Sequence, residues 1–281
     1  MATFTNVATL TYNGNTAVSN TVVGEILEVI SASKTAIGNT YGVNDNITYA
    51  INLINSGTTA LSGLTVTDNL GGYDFGTDEL VPLDYVEGSV RYFVNGVLQE
   101  APTVTAGPPL VFSGIDVPAL SNAAIVYEVS TNAFASPETD GVITNEAVIS
   151  GAGITPVTVS ETVTSREEAD LRITKALSPT VVTENGEITY TFTIQNFGNA
   201  AVATDNAVLS DTFDPILDIT SVTFNGEPWT SPADYSYNQT TGLFTSVPGR
   251  ITVPAATFTQ NPDGSFTVTP GEATLVIVGT I

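Results

Sequence analysis

The sequence predicts an all-β protein built from two tandem immunoglobulin-like sandwiches. Three observations lead there: apolar residues alternate with a period of two, Asn-Gly and Asp-Gly pairs punctuate the chain, and one half repeats the other at a constant offset. Ile47-Thr48-Tyr49-Ala50-Ile51-Asn52-Leu53 and Ile188-Thr189-Tyr190-Thr191-Phe192-Thr193-Ile194 have the alternation and the β-branched and aromatic content of half-buried strands. Asn13-Gly14, Asn95-Gly96, Asp140-Gly141, Asn225-Gly226 and Asp263-Gly264 tolerate positive φ and are suited to closing hairpins. No segment combines helix caps with a 3.6-residue period. Short strands between frequent turns read as an antiparallel sandwich.

The repeat sets the domain organisation. Asn46-Ile47-Thr48-Tyr49 recurs as Glu187-Ile188-Thr189-Tyr190, and Asn55-Ser56-Gly57 recurs as Asn196-Phe197-Gly198, both 141 residues on (190 − 49 and 196 − 55). Leu64-Thr65-Val66-Thr67-Asp68-Asn69-Leu70 matches Ala207-Val208-Leu209-Ser210-Asp211-Thr212-Phe213 with two residues inserted. Thr144-Asn145-Glu146-Ala147-Val148-Ile149-Ser150 closes the first copy. The second copy reaches Leu275-Val276-Ile277-Val278, the counterpart of Ile125-Val126-Tyr127-Glu128-Val129, and ends at Ile281 without a closing strand. A spare copy of that strand stands at the other end of the chain, as Thr5-Asn6-Val7-Ala8-Thr9-Leu10-Thr11. The expected division is therefore a donor strand and linker over residues 1–27, a first sandwich over 28–165, and a second, incomplete sandwich over 166–281.

Composition narrows the function. Six Lys and Arg against 29 Asp and Glu give a formal charge of −23 in 281 residues. This opposes binding to nucleic acid and docking on anionic membranes, both of which need basic surface. Zero Cys and zero His remove disulfides, thiolate metal sites, His bases and the Ser-His-Asp arrangement. No cofactor or metal site is expected: Asp74 to Glu79 and Asn261 to Gly264 are acidic loops without the spacing of a calcium hand. No apolar run is long enough to span a membrane, and the first residues lack the basic and apolar regions of a secretory signal.

The two lysines, Lys34 and Lys175, are the sharpest signal. They occupy the same repeat position (175 − 34 is again 141), each on a first strand that alternates toward the core. A plain salt bridge at a sandwich rim is the simple reading. Burial favours the neutral forms of an amine and a carboxyl alike, and an uncharged lysine amine can attack an Asn side-chain carbonyl. The nearby acids in the repeat are Asp68 and Asp211, and the nearby amides are Asn145 and Asn6. An Asp of this kind can shuttle the proton while ammonia leaves, which makes a Lys–Asn isopeptide bond.

Ala169-Asp170-Leu171-Arg172-Ile173-Thr174-Lys175, followed by Gly186 to Asn196 and by Leu209-Ser210-Asp211, resembles the DUF11 repeat of bacterial surface and spore proteins. Ile143-Thr144-Asn145-Glu146-Ala147 resembles that family's closing motif. The resemblance implies an immunoglobulin-like sandwich stapled by Lys–Asn isopeptide bonds. Two such repeats also resemble the ribbon-appendage proteins of clostridial spores. The expectation is a non-enzymatic structural subunit of a cell- or spore-surface filament. The N-terminal strand (about Thr3 to Gly14) of one copy would fill the open second sandwich of the next. Lys34–Asn145 would form within a chain with Asp68 as catalyst, and Lys175–Asn6 between chains with Asp211 as catalyst. Its partner would be a homopolymer of itself, with bundling of the acidic fibres by divalent cations. The alternative is a monomeric adhesin or surface-array module with intramolecular bonds.

Overall fold

A computed structural model describes residues 2–26, 28–202 and 207–281. The described residues contain strands and turns and no helix. The chain divides into two compact units, one of residues 1–132 and 143–163, the other of residues 133–142 and 164–281.

The first unit is a two-sheet, immunoglobulin-like sandwich. Its first sheet runs in the order Val97–Leu98, Arg91–Val94, Ser121–Thr131, Asn46–Asn55, Ile30–Ile37. Its second sheet has six strands, in the order Thr103–Thr105, Leu110–Val117, Leu61–Asp68, Val142–Ser150, Val157–Ser165, Thr40–Tyr41. Period-two alternation drives the packing. In Ser121–Thr131 every second residue from Ala123 to Thr131 is buried, and in Asn46–Asn55 Ile47, Tyr49, Ile51 and Leu53 point inward. Asn55 closes one end by donating its amide to the carbonyls of Thr59, Val117 and Pro118.

The second unit repeats the order of the first sheet in five strands, Leu171–Ser178, Glu187–Asn196, Gly271–Thr280, Asp218–Phe224, Glu227–Pro228, without a counterpart among the described residues to Leu83–Tyr85, which also pairs with Ser121–Thr131 in the first unit. Tyr190 lies opposite Ile277 where Tyr49 lies opposite Tyr127 in the first unit. Asn196 repeats the role of Asn55, donating to Ala200 and Pro254. The second sheet differs. It has three strands, Ser210–Thr212, Leu243–Ser246 and Tyr235–Asn238, and Ser210–Thr212 is an edge. Ser210–Thr212 holds the place of Leu61–Asp68; among the described residues nothing holds the place of the pair Val142–Ser150 and Val157–Ser165.

The N-terminal residues form a hairpin. Ala2–Asn6 pairs antiparallel with Val22–Ile26, and Thr9–Tyr12 with Asn15–Val18. Asn13 and Gly14 turn it with φ of 49° and 80°, the doubly positive geometry that Asn-Gly favours. The sequence pattern ends the donor strand at Gly14 and assigns residues 15–27 to a linker; the chain instead folds back at Gly14 into a second strand. Asn95-Gly96 and Asn225-Gly226 make the same turn, whereas Asp140-Gly141 lies outside the left-handed region. Phe4, Leu10, Tyr12, Val18 and Val23 are all more than half exposed on this hairpin. The ring of Phe4 lies across Gly24, 2.4 Å from where a Cβ would stand, so a side chain at position 24 would displace it.

Candidate functional site: two lysine–aspartate centres

The first centre lies inside the first sandwich. Ile30–Ile37 alternates, and Lys34 takes a core-facing position opposite Ile51. Asp68 ends its strand on the facing sheet, opposite Leu110 on one side and Ala147 on the other. Lys34 Nζ is 2.6 Å from Asp68 Oδ2, and neither side chain is exposed. The carboxylate takes two further donors: Leu70 N–H to Oδ1 at 2.9 Å, and the Tyr127 hydroxyl to Oδ2. The Leu70 contact is an Asx turn that fixes the carboxylate's orientation.

Asn145 stands two residues before Ala147 on the same inward face and is fully buried. Asn69 sets its position. The Glu146 N–H donates to Asn69 Oδ1 and the Asn69 N–H to the Glu146 carbonyl, each at 2.9 Å. The sandwich therefore brings Lys34, Asp68 and Asn145 to one core, lysine from one sheet and the other two from adjacent strands of the opposing sheet. Neither Asn145 Oδ1 nor Nδ2 has a hydrogen-bond partner in the protein, and neither does the Tyr49 hydroxyl. These are the three buried side-chain polar atoms without a partner among the described residues. Buried polar groups are nearly always paired, and leaving one unpaired costs about 1–3 kcal/mol.

Electrostatics make the amine unusual. Burial pulls the Lys34 pKa down to about 8, against the opposing attraction of Asp68 and, more weakly, Glu146 and Glu161. Its Nζ also lies 4.8 Å from the centroid of the Tyr49 ring. Burial pushes the Tyr49 and Tyr127 phenols upward, and the charge of Asp68 adds to this. The Asn145 amide is close enough to both phenols to act in the opposite sense, yet it reaches hydrogen-bond geometry with neither. Transfer of one proton from Lys34 to Asp68 would leave the pair neutral in a dry site, with a free amine and an acid beside an unpaired amide.

The second centre has the same lysine and aspartate and lacks the amide. Lys175 lies opposite Phe192, its Nζ bonded to Asp211 Oδ2. The ammonium is 4.6 Å from the Tyr190 ring centroid, 5.3 Å from Phe213 and 5.4 Å from Phe192. Its side chain is 41% exposed where that of Lys34 is fully enclosed. The neighbours on its face share this exposure: Leu171 is 40% exposed, Ile173 56% and Leu177 38%. Of their counterparts in the first unit, Ile30 and Lys34 are buried and Ala32 and Ala36 half-buried. Asn6, the amide expected at Lys175, is exposed at the end of Ala2–Asn6 on the hairpin.

Tyr49, Tyr127 and Asn69 are the residues that sequence reasoning misses. Tyr49 and Tyr127 sit in alternating runs where an aromatic reads as core, and the recurrence of Tyr49 as Tyr190 was the available signal. Trp229 packs its ring on Phe224. Among the described residues no group of three or more acidic side chains is placed to hold a metal ion.

No protein-family model matches the chain, DUF11 included, and no curated protein matches it. Among solved structures it is similar to the pilus backbone RrgB of Streptococcus pneumoniae, at 13% identity over 86% of this chain and 55% of that one, with a TM-score of 0.35. It is similar to BcpA, the major pilin subunit of Bacillus cereus, at 12% identity over 96% of this chain and 73% of that one, with a TM-score of 0.35. A third likeness is to the collagen binding domain of the Erysipelothrix rhusiopathiae surface protein RspB, at 15% identity over 57% of this chain and 58% of that one, with a TM-score of 0.27. The chain spans about half the length of the RrgB structure it matches.

Proposed function

We propose that the chain is a structural subunit that polymerises head to tail into a surface filament of the DUF11 type, with a spore appendage as one such setting. The N-terminal hairpin of one copy closes the second sandwich of the next. Lys34 and Asn145 become joined within each chain, with Asp68 moving the proton. Lys175 of one copy becomes joined to Asn6 of another, with Asp211 in the same role. The observation that carries this reading is the mismatch between the two units. The second unit has an edge at Ser210–Thr212 and an uncovered lysine face where the first has two more strands, and Thr5–Thr11 of the N-terminal hairpin repeats in sequence Thr144–Ser150 of the first of those two strands. An uncovered edge beside an uncovered core is an association surface. A contact between different surfaces on each copy propagates instead of closing as a dimer.

The chemistry is self-modification, with no turnover of an outside substrate. The Lys amine adds to Asn Cγ, a C–N bond forms, the aspartate carries the amine's proton to Nδ2, and ammonia leaves. A boiled denaturing gel with intact-mass analysis tests this. A ladder resistant to detergent is expected, and Lys175→Ala or Asn6→Ala should collapse it to a monomer still lighter than its sequence by about 17 Da, one ammonia from the Lys34–Asn145 bond. A wild-type monomer of unmodified mass would overturn the reading.

A further inference from the structure

We propose that the Tyr49 hydroxyl is a catalytic donor for bond formation in the first sandwich, stabilising the oxyanion that develops on Asn145 Oδ1. This rests on the Lys34–Asn145 reading above. The hydroxyl and both polar atoms of the Asn145 amide are buried in the same core and lack partners, so donor and acceptor are each unsatisfied until the reaction alters one of them. The amide is held by its strand, through Asn69, and by no hydrogen bond of its own, so it can turn about Cβ–Cγ and present either atom. The Tyr49 ring is fixed between neighbours: it stacks on Tyr127 at 5.9 Å and 28°, and Lys34 Nζ lies over its face.

The two phenols have different tasks. Tyr127 donates to Asp68 Oδ2 and so positions the acid. Tyr49 has no such bond and is free to donate to the reacting carbonyl. When Lys34 Nζ bonds to Asn145 Cγ, the carbonyl π pair moves onto Oδ1, and a hydroxyl already in a dry site can meet that charge without reorganising. Asp68 takes the proton from Nζ and delivers it to Nδ2. The π bond re-forms as ammonia departs, and Tyr49 keeps its own proton throughout. The repeat supports this division. The second unit keeps the equivalent of Tyr49, as Tyr190, and has Ile277 where the first has Tyr127. The phenol without a partner recurs, and the phenol bonded to the aspartate does not.

The test is Tyr49→Phe in the full chain. Wild-type and variant proteins are made by cell-free synthesis and sampled by intact mass from minutes to days, with Lys34→Ala as the unreactive control. Loss of one oxyanion donor predicts loss of ammonia from the first sandwich slowed about 100- to 1,000-fold. Because the Tyr49 hydroxyl bonds to nothing in the folded protein, its removal leaves the sandwich intact, and thermal melting of Lys34→Ala with and without Tyr49→Phe checks this. Equal rates in wild type and Tyr49→Phe would overturn the role of Tyr49 while leaving the isopeptide reading standing. No mass loss in the wild type would overturn that reading itself.

Discussion

A lysine enclosed between two sheets with a single carboxylate is an unfavourable way to gain stability. The attraction within a buried pair roughly offsets the cost of removing both charges from water, and breaking such a pair costs about 3–5 kcal/mol. Lys34 is in this position, and its pKa near 8 records the cost. An Asn145→Ala chain retains Lys34 unreacted, and its stability should depend on pH in a defined way. The folded lysine titrates near 8 and an unfolded one near 10.5, so between these values the unfolded chain binds more protons. Stability should therefore rise with pH across that window relative to Asn145→Ala/Lys34→Met, with the full penalty present below pH 8. Urea unfolding of the two variants at several pH values measures it. A difference that is flat or falls with pH would show that Lys34 is not held in the depressed state. Lys34, Asp68 and Asn145 were legible in the sequence because each stands in a repeated motif. Tyr49 and Tyr127 were not, since period-two patterning places an aromatic in the core without saying where its hydroxyl ends.

Two elements decide what the second sandwich can do. Leu171–Ser178 presents Leu171, Ile173, Lys175 and Leu177 along one face, and Ser210–Thr212 leaves its outer edge without a partner strand among the described residues. Fully covering a large aliphatic side chain is worth about 1.5–3 kcal/mol, so in the proposed assembly this face would supply much of the drive for docking a hairpin. Ile173, the most exposed of the three aliphatics, gives the cleanest perturbation. Ile173→Asp would place an unpaired carboxylate under the docked hairpin, which costs several kcal/mol. Polymer growth followed by light scattering should slow by about 100-fold or more, while ammonia loss from the first sandwich is unchanged. Growth at the wild-type rate would remove this face from the interface. The shorter second sheet of the second unit, three strands among the described residues against six in the first, was signalled by the broken repeat and by Thr5–Thr11, the spare copy of Thr144–Ser150. That the spare is a hairpin was signalled by Asn13-Gly14, but the return strand from Asn15 to Ile26 shares too few residues with Val157–Ser165 to be read as the same element. The association of residues 133–142 with the second unit was also hidden. It depends on contacts such as the Asn199 amide on the Pro137 carbonyl, which no local pattern encodes.

At the scale of the whole molecule, the described residues form one sandwich with a six-stranded second sheet, one with a three-stranded second sheet, and an N-terminal hairpin bearing Asn6. Acidic subunits with a formal charge of −23 repel one another, so association needs a specific surface to prevail over that repulsion. A covalent bond at each joint would then make the association irreversible. The most direct test grows the protein separately on light and heavy nitrogen, mixes the two under conditions that separate any joints formed without a covalent bond, and lets them assemble. Digestion and mass spectrometry then identify the cross-linked peptides. The account predicts Lys34–Asn145 peptides of uniform label only, and Lys175–Asn6 peptides in which mixed labels are as frequent as uniform ones. Lys175–Asn6 peptides of uniform label only would mean that each chain closes on itself, and the absence of any peptide joined at Lys175 would contradict the covalent filament outright.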